Sequence, residues 1–184
     1  MNSLLHGLLN AGLIQFGQFG SNGAPVPIQF RLDMLPSYPT LLRLAADSLI
    51  PLLNPGASHL LCGFDSVGLG TAVSLSTGHP LVYQAHSGGE IDLIGAYDIG
   101  HPATLITHVL ARHTPIHPLI AHARRVGLDI RQVVTLIDAG HDSLSVPDLQ
   151  VDGVLHLAAM IDQWVSNGEL PAGQAAAVKA WMAG

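Results

Sequence analysis

The chain has 184 residues, is 48% hydrophobic and only 11% charged, and carries a formal net charge of -6. One domain with a sizeable core follows, and disorder is excluded. Seven Lys and Arg against thirteen Asp and Glu, with Lys179 the sole lysine, cannot lay a broad positive track, so nucleic acid is excluded as a partner.

Charge this sparse, against roughly 25% in an ordinary globular domain, favours burial of surface in an oligomer. Cys62 is alone, which rules out an intrachain disulfide and reads as a small buried hydrophobe at a strand end. No apolar stretch approaches the roughly 18 residues of a membrane span, and the N-terminus lacks a basic start. No membrane partner is expected, and a soluble cytoplasmic protein is.

Ser3 predicts the cap of a short helix over Leu4 to Asn10, with Gly12 stopping it. Two extended pieces follow, Leu13 to Phe16 and Pro27 to Phe30, separated by GSNGAP. Pro39 opens a helix reaching about Leu53, with Leu41, Leu42, Leu44, Ala45, Leu49 and Leu52 as its apolar face. His59 to Phe64 reads as a buried strand, then a glycine-containing turn and a helix from about Val67 to Ser76. PLVYQA is a second strand of this set and IDLIGAY a third, short and edge-forming.

ATLITHV is the next core strand, and a helix over residues 115–126 follows, tolerating Pro115 and Pro118 in its first turn. RQVVTLIDAG is continuous enough in apolar residues for a parallel sheet covered on both faces. Gly153 precedes VLHLAAMI, a short strand entering a helix that ends near Gly168, and Pro171 opens a final alanine-rich helix. This order predicts a three-layer α/β fold with a mostly parallel central sheet. Residues 1–184 form a single domain: an N-terminal segment 1–38, a core 39–168 and a C-terminal helix 169–184.

In such sheets ligands bind outside the carboxyl ends of the strands. Four loops qualify: Gly63 to Gly70, Gln84 to Glu90, Thr107 to Thr114 and Asp138 to Asp142. CGFDSVGLG can cradle an anion through Gly63, Gly68 and Gly70, or be a tight turn whose glycines ease helix packing. Asp65 and Ser66 are either ligands or a helix cap. The spacing fails G-x-G-x-x-G.

The second loop offers only His86 and Glu90. His108, His113, His117 and His122 lack the converging Cys or carboxylate of a zinc site, so they read as polar surface. Asp138, His141 and Ser143 are too close in sequence for triad geometry, and G-x-S-x-G is absent.

The phrases GLIQFGQF, LLCGFDSVGLGTAVSL and TLITHVLARHT, in this order over about residues 5 to 168, resemble the type I phosphoribosyltransferases, and most closely the orotate phosphoribosyltransferases. Phe16, Gly17, Phe19, Arg31 and Pro39 match the opening of that family, and LLCGFDSVGLG its pyrophosphate turn. The resemblance implies a phosphoribosyltransferase-like fold with a hood-like N-terminal segment and a homodimer. It places Thr107 and His108 where an acidic pair holds ribose hydroxyls, and Ala111, Arg112 and His113 where Thr-Thr-Gly wraps a 5'-phosphate.

Asp138 survives from an Asp-Arg pair whose second member is Ala139, and the family's loop lysines have no counterpart. The expectation is therefore a protein that has lost transferase activity, requires no cofactor, and binds a phosphate-containing small molecule or acts through protein contacts. Its candidate ligand residues are Arg31, Asp65, Ser66, Gly68, Arg112, His113, Thr114 and Asp138. The alternative is an active orotate-type transferase with an atypical site, which alone would require Mg2+.

Overall fold

Pro39 and the glycines at residues 12 and 78 punctuate the first half of the chain, and the elements between them follow that punctuation. The computed structural model describes residues 3–20, 26–85, 91–112, 114–140 and 148–183. Helix α1 (Ser3–Asn10) stops at Gly12, whose φ of +67° a side chain would strain. Strands β1 (Ile14–Phe19) and β2 (Val26–Phe30) pair antiparallel. A 3-10 turn over Leu32–Ser37 leads into α2 (Pro39–Leu49).

The helix expected to reach Leu53 ends at Leu49, because Pro51 has no N–H to offer and the chain tightens into a 3-10 turn, Ile50–Leu52. Then come β3 (His59–Cys62), α3 (Val67–Thr77), β4 (Leu81–Gln84) and β5 (Leu93–Ile94). Strand β6 (Pro102–Leu110), α4 (Ile116–Arg125), β7 (Asp129–Asp138), β8 (Gln150–His156), α5 (Leu157–Ser166) and α6 (Ala172–Ala183) complete the chain.

The six-stranded sheet has the order β5-β4-β3-β6-β7-β8, parallel throughout except for the antiparallel edge strand β5. Helices cover both faces, giving the three layers expected. Alternation along each strand feeds two cores: Leu60, Ile106 and Val134 join one, and Leu61, Leu105 and Val133 the other. Helices α1, α2, α3 and α5 pack on the first, and α4 on the second.

Gly153 is not the boundary that the sequence suggested, because β8 begins at Gln150 and runs through it. A Cβ there would lie 2.8 Å from the Cβ of Asp138 on β7, so the glycine permits close strand packing. Trp164 is also fully enclosed, meeting Phe16 edge-to-face at 5.3 Å, and so is not available to an interface between copies.

A buried glutamine ties the layers. Gln132 on β7 accepts from Asn54 N–H and Thr104 Oγ1 and donates to Leu52 O and Asp152 Oδ2, at 2.7 to 2.9 Å. Every position of its amide is used. One side chain thus joins β6, β7 and β8 to the segment after α2.

At the amino ends of β3 and β6, His59 and His101 lie with rings 4.6 Å apart and Nδ1 atoms 3.2 Å apart, and Ser58 Oγ is 2.9 Å from His59 Nδ1. Burial, then the His101 charge, hold the His59 pKa below 6.5. The unfolded chain therefore binds a proton there that the folded chain resists. The stability tied to neutral His59 is complete above pH 6.5 and is lost as pH falls from 6.5 toward the folded value. Urea midpoints should drop between pH 7.5 and 5.5, and His59→Asn should flatten that slope.

Candidate functional site

Strands β3 and β6 lie side by side, and from them the chain proceeds to opposite edges of the sheet. The crevice outside their carboxyl ends is where an α/β sheet of this order presents a ligand site. Its rims are residues 63–66 after β3 and residues 111, 112, 114 and 115 after β6. Successive residues of β6 face opposite ways there. Thr107 enters the wall of a hollow of about 60 Å³, with Gly63, Asp65, Gln84 and Thr114. His108 enters the wall of a cleft of about 610 Å³ beneath the β1–β2 hairpin, with Phe30, Asp33, Phe64, Asp65 and Trp181. Asp65 and Thr114 border both.

The turn after β6 is closed on itself. Ala111 N–H donates to Thr114 Oγ1 at 2.8 Å and Thr114 N–H to Ala111 O at 2.9 Å, while the Thr114 hydroxyl also lies 3.4 Å from Val109 O. Arg112 turns away and donates from Nη1 to Ala183 O at 3.0 Å, linking the turn to the last residue of α6. His113 lies outside the described residues, as do His86, Glu90, His141 and Ser143.

Around β3 the polar groups are equally engaged. Ser66 holds the position of a helix cap, yet its side chain caps nothing. Its fully buried hydroxyl donates to Asp65 Oδ1 at 3.0 Å and accepts from His108 N–H at 3.3 Å, so it fastens the first rim to β6. Burial pushes the Cys62 thiol up to about 12, with the Asp65 charge adding to it, which leaves that sulfur un-ionised and unreactive.

His108 is the anomaly of the site. It is 5% exposed, and its Nε2 has no hydrogen-bond partner. Burial pushes its pKa below the ordinary value, against the opposing charges of Asp65 and Asp33, so the imidazole is uncharged near neutrality. An unpaired buried ring nitrogen costs roughly 1–3 kcal/mol.

The remaining candidates are dispersed. Arg31 is half-exposed, with Nε 3.9 Å from Asp33 Oδ1 and Nη2 3.2 Å from Met34 Sδ. Asp138, at the end of β7, accepts from Gly140 N–H at 3.0 Å and stands 3.2 Å from His156 Nδ1. Among the described residues no three His, Cys, Asp or Glu converge as metal ligands. Sequence reasoning passed over Asp33, Phe64 and Trp181, which the 3-10 turn after β2, the β3 loop and α6 bring to one cleft from three distant places. No local motif marks them.

No family model matches the chain. Over 195 aligned residues it is 26% identical to the hypoxanthine/guanine phosphoribosyltransferase of Methanothermobacter thermautotrophicus, covering 94% of this chain and 97% of that protein. Its structure is similar to Leishmania donovani UMP synthase, with a TM-score of 0.83 at 22% identity, covering 98% of this chain but only 41% of that one. It also resembles the orotate phosphoribosyltransferases of Francisella tularensis (TM-score 0.71, 18% identity, 96% of each chain) and Aeropyrum pernix (0.75, 18%, 89% of this chain and 98% of that one). The fold is that of the type I phosphoribosyltransferases.

Gly68 was a candidate for a phosphate cradle, and the geometry gives it a packing role. A Cβ there would lie 2.5 Å from Pro36 Cγ, in the 3-10 turn against which α3 packs. Gly68→Ala should therefore destabilise the fold by about 1–3 kcal/mol through overpacking, read as a lower urea midpoint with the m-value unchanged.

Proposed function

We propose that this chain is a small-molecule-binding protein on a phosphoribosyltransferase frame, without transferase activity. The observation that carries the reading is the turn after β6. Its Ala111 N–H is already taken by Thr114 Oγ1, and its one guanidinium is bonded to Ala183 O. Phosphate binding by such a turn needs free backbone donors and a cation. Next to it Thr107 and a neutral His108 replace anionic acceptors, and the hollow that Thr107 lines is only about 60 Å³.

Phosphoribosyl transfer also needs fixed positive charge where pyrophosphate departs. Among the described residues, neither the hollow nor the cleft has Lys or Arg in its wall. The cleft of about 610 Å³ remains, sized for a compact ligand.

Calorimetric titration of the full chain with phosphoribosyl pyrophosphate and Mg2+, beside an orotate conversion assay, checks this. The expected result is neither saturable heat nor conversion. Tight binding accompanied by turnover would establish an active orotate-type transferase instead.

A further inference from the structure

We propose that the cleft beneath the β1–β2 hairpin binds a flat aromatic cation, of the aryl amidine, aryl guanidine or protonated amino-heterocycle class. The inference rests on the reading above that phosphate chemistry has left this site, and it names what the cleft accepts instead.

Charge decides the sign of the ligand. Asp33 and Asp65 stand in the wall, and among the described residues no Lys or Arg does. Arg31 is 3.9 Å from Asp33 at the exposed rim, whereas no ion pair among the described residues involves Asp65. One Asp65 oxygen accepts from Ser66 Oγ, a neutral donor that leaves the carboxylate charge in place. Both carboxylates are solvent-exposed, so water screens part of the repulsion an anion meets, and the sign of the ligand is set by two acids in a wall without a base among the described residues.

His108 decides the polarity. As a neutral imidazole it does not offset the carboxylates. Carboxylates accept hydrogen bonds and cannot donate them. A ligand carrying several N–H donors matches the two carboxylates of this wall.

The remaining walls decide the shape. Phe30, Phe64 and Trp181 supply aromatic surface, and Phe64 is 47% exposed, unusual for so large an apolar side chain. Aromatic faces attract cations as well as flat apolar bodies. Polyamines would satisfy the carboxylates and leave these faces uncovered, so the aromatic class fits better.

The test pairs benzamidine with benzoate, two ions of one shape and opposite charge, by calorimetry on the full chain. Benzamidine should bind at one site per chain, and benzoate at least about tenfold more weakly. Asp65→Asn should weaken benzamidine by about tenfold, as loss of a charge-assisted contact implies, with the thermal midpoint showing that the variant folds. The His108 ring nitrogen resonances should shift on titration.

Equal or preferred binding of benzoate overturns the proposal, as does the absence of benzamidine heat. So does benzamidine affinity within twofold of wild type in both Asp65→Asn and Asp33→Asn. The wild-type comparison stands even if a variant misfolds. Orotate turnover would overturn the proposed function and this inference with it, since both substrates of that reaction are anions. A benzoate preference without orotate turnover would overturn this inference alone and leave the proposed function standing.

Discussion

The parallel pairing of β3 with β6 is the constraint on which the rest of the molecule depends. It sets Leu60 against Thr104 and Cys62 against Ile106, at the middle of the sheet, with β4 and β7 outside them. Because the chain leaves β3 for one edge and β6 for the other, the two following loops must face each other across an open end. Ser66, fully buried, then bonds the first loop to the end of β6. Fold and crevice thus have a single cause. The register that buries two apolar cores also decides which side chains reach the crevice, since a slip of one residue would exchange Thr107 and His108.

The crevice is also internally well bonded. Polar groups around it bond mainly to one another: Ser66 to Asp65, Thr114 to Ala111, Arg112 to Ala183, Asp138 to Gly140. A group already satisfied inside the protein must give up that bond to receive a ligand, so its net gain on binding is small. His108 is the exception, with a buried ring nitrogen that no protein group meets. The larger cleft has aromatic and acidic residues in its wall.

Much of this architecture was legible in the sequence. Element order, the short edge strand, the helix after Pro39 and the two-sided burial of the central strands follow from periodicity and from the punctuation of Gly and Pro. Departures arose where a contact distant in sequence overrules a local signal. Gly153 looks like a break and is a packing residue, because Asp138 approaches it from the neighbouring strand. Gly68 looks like part of an anion turn and is shaped by Pro36, more than thirty positions earlier.

The site was less legible for the same reason. Arg112 has an attractive position after the central strand, but its direction is set by a carbonyl at residue 183. Asp33 and Trp181 acquire meaning only when the hairpin and the last helix close over the sheet.

The placement of the two tryptophans has an optical consequence. Trp164 is sealed in the core against Phe16, while Trp181 forms part of the wall of both the cleft beside His108 and a second hollow between the hairpin and α6. The intrinsic emission of the protein is therefore the sum of a silent component and a sensitive one. Events at the cleft register in the fraction that aqueous quenchers can reach, while the shielded fraction serves as an internal standard. The molecule carries its own reporter, positioned by the same helix end that holds Arg112.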